Sequence, residues 1–214
     1  MKNILFISGG WDGHQPENIV QIFKDALQSH GLKSEISTSL EILDHPEKLK
    51  SFDVIFLCWT MGSLTPEQTK NLIETIHSGV GLAGIHGGMG DAFRGNLDYE
   101  WMVGGHFVGH PYVGDYKVRI VNTTTPITQG IPSFFDYHSE QYYMMVDPSI
   151  QVLAETDYTF EDKTFTMPVA WIKSWGKGKV FYSALGHAPE EFSKHPLSLQ
   201  LALQGILWAA KTLS

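Results

Sequence analysis

The chain reads as an α/β protein: a mostly parallel sheet with helices on both faces. Three observations predict this. Continuous apolar runs of strand length recur at residues 3–8, 53–59 and 80–85, as expected of parallel strands covered on both sides. Segments with helical apolar spacing alternate with them. A β-α-β-α-β succession closes most simply as crossovers over one parallel sheet.

The first strand, residues 3–8, ends at Gly9-Gly10. Residues 16–30 then place Ile19, Ile22, Phe23, Ala26 and Leu27 on one helical face, with Pro16 in the first turn and Gly31 at the C-terminal cap. Residues 32–40 form a second strand and 53–59 a third. Thr65 caps a helix running to Ser78. Residues 80–85 supply the fourth strand. The second half changes character. Residues 116–121, 138–146, 151–155, 168–172 and 179–184 are strand-like, with a tight turn at Trp175-Gly-Lys-Gly-Lys. They extend the sheet, partly antiparallel. Residues 196–211 form a closing helix with Leu199, Leu203, Ile206 and Leu207 inward. Residues 87–111 are the longest stretch without periodicity, and such stretches are often functional.

A chain of 214 residues fits one domain. At this size folding buries roughly 70% of the unfolded surface, so no disulfide or metal is needed for stability. A net charge of −8 with scattered lysines argues against a nucleic-acid partner. No run approaches the roughly 20 apolar residues of a membrane span. The opening MKNILFISGG is too short an apolar run for a signal peptide and reads as a strand. The single cysteine, Cys58, excludes an internal disulfide and fits a reducing compartment, so cytoplasm is the expected location. Its place inside an apolar strand makes it an inert core residue.

In open parallel sheets, ligands bind beyond the carboxyl ends of the strands. After the first strand comes GGWDGHQP, with Asp12 and His14; after the third CWTMGS, with Trp59 and Thr60; after the fourth GIHGGMGDAF, with His86 and Asp91; after the last SALGHAPEEF, with His187. The aperiodic stretch adds His106 and His110, and the strand near residue 140 adds His138 and Glu140, followed by Tyr142-Tyr143. Six of the ten histidines fall in these segments. The other four (His30, His45, His77, His195) fall at helix ends or turns, are expected to be exposed, and receive no role.

Imidazole is the commonest metal ligand and also moves protons near neutral pH. No HExxH or paired CxxC is present, so a metal reading rests on convergence in three dimensions. Each residue has a plainer reading. His86 could bond within its turn, His187 could sit in a loop capping the last helix, and His14 could cap the first helix. One of His106 and His110 would pack structurally, His138 could lie on an exposed strand face, Glu140 could be a surface acid, and Asp12 fits a turn former. Trp11, Trp59 and Trp101 would suit a sugar-stacking wall; core packing is the alternative for each. Phe134-Phe135 would serve a homodimer or the core.

The segment PVAWIKSWGKGKVFYSALGHAPEEF, with GIHGG, FVGHP, ITQGIP and HSEQYYMM, resembles the ThuA-like (trehalose utilisation) family over nearly the whole chain. The resemblance implies a flavodoxin-like three-layer αβα sandwich of the class I glutamine amidotransferase-like type. Fold relatives keep a nucleophilic cysteine at a sharp strand-to-helix turn. Here that turn matches Gly84-Ile-His-Gly-Gly, with His86 in the cysteine's place, so glutamine hydrolysis through a thioester is not expected. His14, His86, His110, Glu140 and His187 match family motif positions.

Together these readings give three expectations. His86, Glu140 and His187 are the catalytic candidates, and His14, His86, His110 and His187 the ligands of a divalent metal, zinc first. Asp12, His14, Trp59, His106, His110 and Tyr142 are the substrate-binding candidates. No nucleotide cofactor is expected. The resemblance implies a sugar or keto-sugar substrate and isomerisation, hydrolysis or cleavage. The alternatives are a non-catalytic sugar-binding module or a partner subunit of a sugar oxidoreductase.

Overall fold

The computed structural model describes residues 2–213. Strands β1 (Asn3–Gly10), β2 (Lys33–Ser37), β3 (Val54–Thr60), β4 (Gly81–Ile85) and β9 (Gly178–Ser183) run parallel. Strands β5 (Gly105–Ile120), β6 (Phe134–Val146), β7 (Gln151–Phe160) and β8 (Lys163–Trp175) continue the same sheet antiparallel. The spatial order is β2-β1-β3-β4-β9-β8-β7-β5-β6. This is the mixed α/β sheet that the apolar runs and the turn at Trp175 imply.

Period two along β1 explains the three layers. Ile4 and Phe6 enter one core, Leu5 and Ile7 the other, and all four are fully buried. Helices α1 (Pro16–Gln28), α6 (Pro189–Lys194) and α7 (Pro196–Ala209) cover the first face; α2 (Pro46–Leu49), α3 (Pro66–Ser78) and α5 (Leu97–Val103) cover the second. Phe23 of α1 is wholly buried against Phe56; truncating such a ring costs about 3–5 kcal/mol. At the start of α3 the Thr65 hydroxyl accepts from the Gln68 N–H while the Gln68 side chain accepts from the Thr65 N–H. This reciprocal cap satisfies two otherwise unpaired donors.

Residues 87–111 are more ordered than their composition suggests. They hold most of α4 (His86–Gly90), all of α5 and the start of β5. A five-residue helix with three glycines shows no apolar period, and β5 is interrupted by two register shifts, between Phe107 and Gly109 and between Gly109 and Tyr112. Such bulges break the alternation that marks a strand. Only Arg119 and Ile120 of β5 pair with β7. The rest of the β5–β6 ribbon leaves the sheet and returns over the ends of β4 and β9, where the Tyr182 hydroxyl meets Met144 Sδ at 3.9 Å.

Two smaller expectations are corrected. In α7 the fully buried positions include Leu201 and Ala202, whereas Leu199 and Leu203 are only partly covered. His195 is half-buried, its ring 4.6 Å from that of Tyr137. The Phe134-Phe135 pair divides as strand neighbours must, Phe135 into the core and Phe134 outward. Among the described residues, no helix is long and apolar enough to cross a membrane.

Candidate functional site

His86 follows β4 and begins α4 with a φ of 43°. This left-handed conformation is costly for a side chain bearing a Cβ and occurs where a turn must aim a functional group. The two glycines that follow are dictated by close approach. A Cβ on Gly87 would lie 2.4 Å from His14 Cε1, and one on Gly88 would lie 2.9 Å from Cys58 Cα.

His86 Nδ1–H donates to the Ala184 carbonyl at 2.8 Å. That bond orients the ring so that Nε2 faces inward. Nε2 lies 3.2 Å from His187 Nδ1 and 3.3 Å from Glu140 Oε2. Tyr142 stacks on the His86 ring with centroids 4.0 Å apart. His187, in the loop between β9 and α6, lies 3.4 Å from Glu140 Oε2. His14 comes from the turn at Asp12–His14, with Nδ1 2.7 Å from Thr60 Oγ1. Its ring centroid is 4.9 Å from those of His86 and His187. One ligating atom from each of His14, His86, Glu140 and His187 lies within 4.8 Å of all the others.

The electrostatics follow from burial and mutual proximity. Burial, with His86 and His187 nearby, lowers His14 to about 3, so its ring is neutral. Burial alone would raise Glu140, but hydrogen bonds from His187 and His86 hold its carboxyl well below the usual carboxylate range. The hydrogen bond to Glu140 raises His187 despite its burial. An ionised carboxylate thus stands among imidazoles of which at least one is neutral.

Other candidates lie apart. His110 is exposed at the rim, its Nε2 3.7 Å from Glu140 Oε1. His106 pairs across the ribbon with Met145, on the side opposite Glu140, and meets Glu100 at 3.2 Å. His138 is exposed and paired with Asp115 at 2.7 Å. Asp12 is exposed, and its carbonyl accepts from the Gln15 N–H, as in a turn former. Trp59 packs on the second core, hard against Gly9 and Gly62. Trp11 is exposed with its ring 4.7 Å from His14, while Trp101 meets Trp175 at 5.2 Å. The three tryptophans therefore form no common wall. Burial pushes the Cys58 thiol up to about 12, which leaves it inert.

Sequence reasoning missed Glu191. Its buried carboxylate accepts from the Tyr137 hydroxyl at 2.6 Å, the Ser139 hydroxyl at 2.7 Å and the His187 N–H at 3.1 Å. The Tyr137 hydroxyl accepts in turn from the Gly186 N–H at 3.0 Å. This network ties the loop bearing His187 to the strand bearing Glu140. The alternation of Phe135, Tyr137 and Ser139 marks one buried face of β6, but nothing local shows that an acid from α6 meets it.

Sheet order and elbow define a three-layer αβα fold of the glutamine amidotransferase-like type, with a histidine at the strand-to-helix elbow. The chain belongs to the ThuA family, described as trehalose utilisation, whose family model matches residues 3–209. Among solved structures it is similar to a ThuA-like protein from Bacteroides uniformis, with 19% identity, a TM-score of 0.77, and 98% of this chain and 90% of that one covered. A ThuA-like protein from Parabacteroides merdae gives 18% identity, a TM-score of 0.77, and coverage of 100% and 91%. The glutaminase domain of the Trypanosoma brucei CTPS matches at 14% identity and a TM-score of 0.60, covering 100% of this chain and 95% of that one. At these identities the likeness concerns the fold. No curated protein matches the chain.

Proposed function

We propose that the chain is a metal-dependent enzyme acting on a sugar or keto-sugar in trehalose-type catabolism. The observation that carries this reading is the convergence of His14, His86, His187 and Glu140 within 4.8 Å at one rim of the sheet. The donor set fits a divalent cation, zinc first. Three donors are imidazoles, His14 among them neutral, one is an ionised carboxylate, and His86 is oriented by an outer hydrogen bond to a carbonyl, the usual support of a ligating imidazole. A bound divalent ion would polarise a sugar carbonyl or lower the pKa of water there.

The chain's own groups would do the rest. Glu140, ionised and shared between His86 and His187, serves as ligand or as proton acceptor. His110, exposed beside Glu140, is placed to pass a proton to or from substrate at the rim. A C–H next to a keto group is acidic enough for such bases, which favours isomerisation or cleavage beside that carbonyl. Trp11 offers an exposed ring next to His14 for the apolar face of a sugar. Tyr142 supports His86 from behind and is a positioning residue. A thioester route has no nucleophile, because the elbow bears His86 and Cys58 is a buried neutral thiol.

The test is product analysis after incubating zinc-loaded protein with trehalose and 3-keto-trehalose. Turnover by the wild type and its loss in His86→Ala supports the reading. Saturable binding with no product would leave a sugar-binding module instead.

A further inference from the structure

A cavity lies beyond the carboxyl ends of β1 and β2, the end at which open α/β sheets bind ligands. It measures about 360 Å³, and Ser8, Asp12, Glu17, Asn18 and Thr38 are among its lining residues. That volume is at the small end of the ~300–1,000 Å³ range of ligand pockets, so its occupant is small. Period two along β1 puts Ser8 on the face of Ile4 and Phe6, which α1 covers. Ser8 therefore points towards the N-terminal end of α1. It is 1% exposed, and its hydroxyl has no hydrogen-bond partner among the described residues. Buried polar atoms are rarely left so. The N-terminus of α1, a helix of 13 residues, has no side-chain cap, because the Gln15 amide oxygen accepts from Asn18 Nδ2 instead.

The lining makes two opposite demands. The uncapped N–H groups of the first turn of α1 and the Ser8 hydroxyl are donors, and a helix N-terminus favours an anion. Asp12 and Glu17 are exposed carboxylates, and the lining residues include no lysine or arginine. These two acids favour a cation and repel a free anion. Phosphate would face both carboxylates, and a metal ion would face the positive end of α1. A small zwitterion meets both demands. We propose that this cavity binds a small α-amino acid. Its carboxylate accepts from Ser8 Oγ and from the first-turn N–H groups of α1, and its ammonium lies between Asp12 and Glu17. The proposal does not depend on the reaction proposed for the histidine centre.

The experiment is calorimetric titration of L-alanine and L-serine into the full chain, with amide chemical shifts locating the site. Propionate, which lacks the ammonium, and ethylamine, which lacks the carboxylate, are titrated beside them, as are inorganic phosphate, calcium chloride and glycerol. At least one of the amino acids should bind saturably and shift the amides of residues 8–18, with propionate and ethylamine each weaker by about tenfold or more. Asp12→Asn combined with Glu17→Gln should weaken amino-acid binding about tenfold and leave propionate no weaker. Ser8→Ala should weaken the amino acids and propionate alike. Circular dichroism checks folding. Asp12 and Glu17 are exposed, so the double variant carries the test if Ser8→Ala does not fold. No binding of either amino acid, or equal or tighter binding of any other probe at those amides, would overturn the proposal. So would unchanged amino-acid affinity in the double variant or in a folded Ser8→Ala protein.

Discussion

His86 Nε2 and His187 Nδ1 lie 3.2 Å apart although 101 residues separate them in the chain. Both rings are supported from outside, His86 by the Ala184 carbonyl and His187 through its backbone by Glu191. Support of both partners means that the pair is preorganised by the fold.

Glu191 should therefore act through His187. Glu191→Gln places an amide donor among three donors, and a lost buried charged hydrogen bond costs about 1.5–3 kcal/mol. Urea unfolding should show a loss of that order, and kcat should fall more than KM rises. Tyr137→Phe, which removes one hydroxyl from the same network, should give a smaller loss of both. Unchanged kcat in a folded Glu191→Gln protein would assign Glu191 to stability alone.

The elbow glycines should tolerate no side chain. In Gly87→Ala the new methyl meets the His14 ring, so metal affinity should drop with modest loss of stability. In Gly88→Ala it meets the backbone at Cys58, and overpacking of this kind costs about 1–3 kcal/mol. Denaturant melts and zinc titrations of the two variants should separate along these lines.

The pH dependence has opposing parts. His14 has an ordinary value of 6.5 and a folded value of about 3, so between these the unfolded chain binds more protons. Metal-free protein should lose stability as pH falls from 6.5 towards 3, and His14→Gln should flatten the curve of Tm against pH there. His187 is raised by Glu140, so its contribution is full below its unfolded value and fades as pH rises through the folded one. Glu140→Gln should abolish that fading, and a histidine NMR titration should show His187 moving down. The lowered Glu140 contributes above the ordinary carboxylate range and is lost in acid below it.

Cys58 should be silent. Its thiol is buried and pushed up to about 12, so a thiol reagent such as DTNB should react only at the rate of unfolding. Rapid labelling of native protein would show that the elbow opens.

Much of the architecture was legible because buried parallel strands write their burial as unbroken apolar runs, and the Thr65-x-x-Gln68 cap writes a helix start. The histidines that follow β1, β4 and β9 could be listed for the same reason. Glu140 was named as a candidate from the family resemblance, but how it reaches the histidines was not legible. It joins them because the β5–β6 ribbon folds back over the sheet, and register shifts around Gly109 set which side of that ribbon it faces. Neither the fold-back nor a register follows from composition. His106 and His138 stood beside His110 among the histidines of this half of the chain, yet Met145 and Asp115, their partners across the ribbon, place them elsewhere. Glu191 was overlooked because its partners, Tyr137 and Ser139, lie over fifty residues away.

The most direct test of the central claim is calorimetric titration of zinc into tag-free, metal-stripped protein, alongside His14→Ala, His86→Ala, Glu140→Gln and His187→Ala. The account predicts one equivalent bound by the wild type and affinity reduced at least about tenfold in every variant, since each removes one ligand. Wild-type protein that binds no zinc, or four variants that bind it as the wild type does, would contradict it.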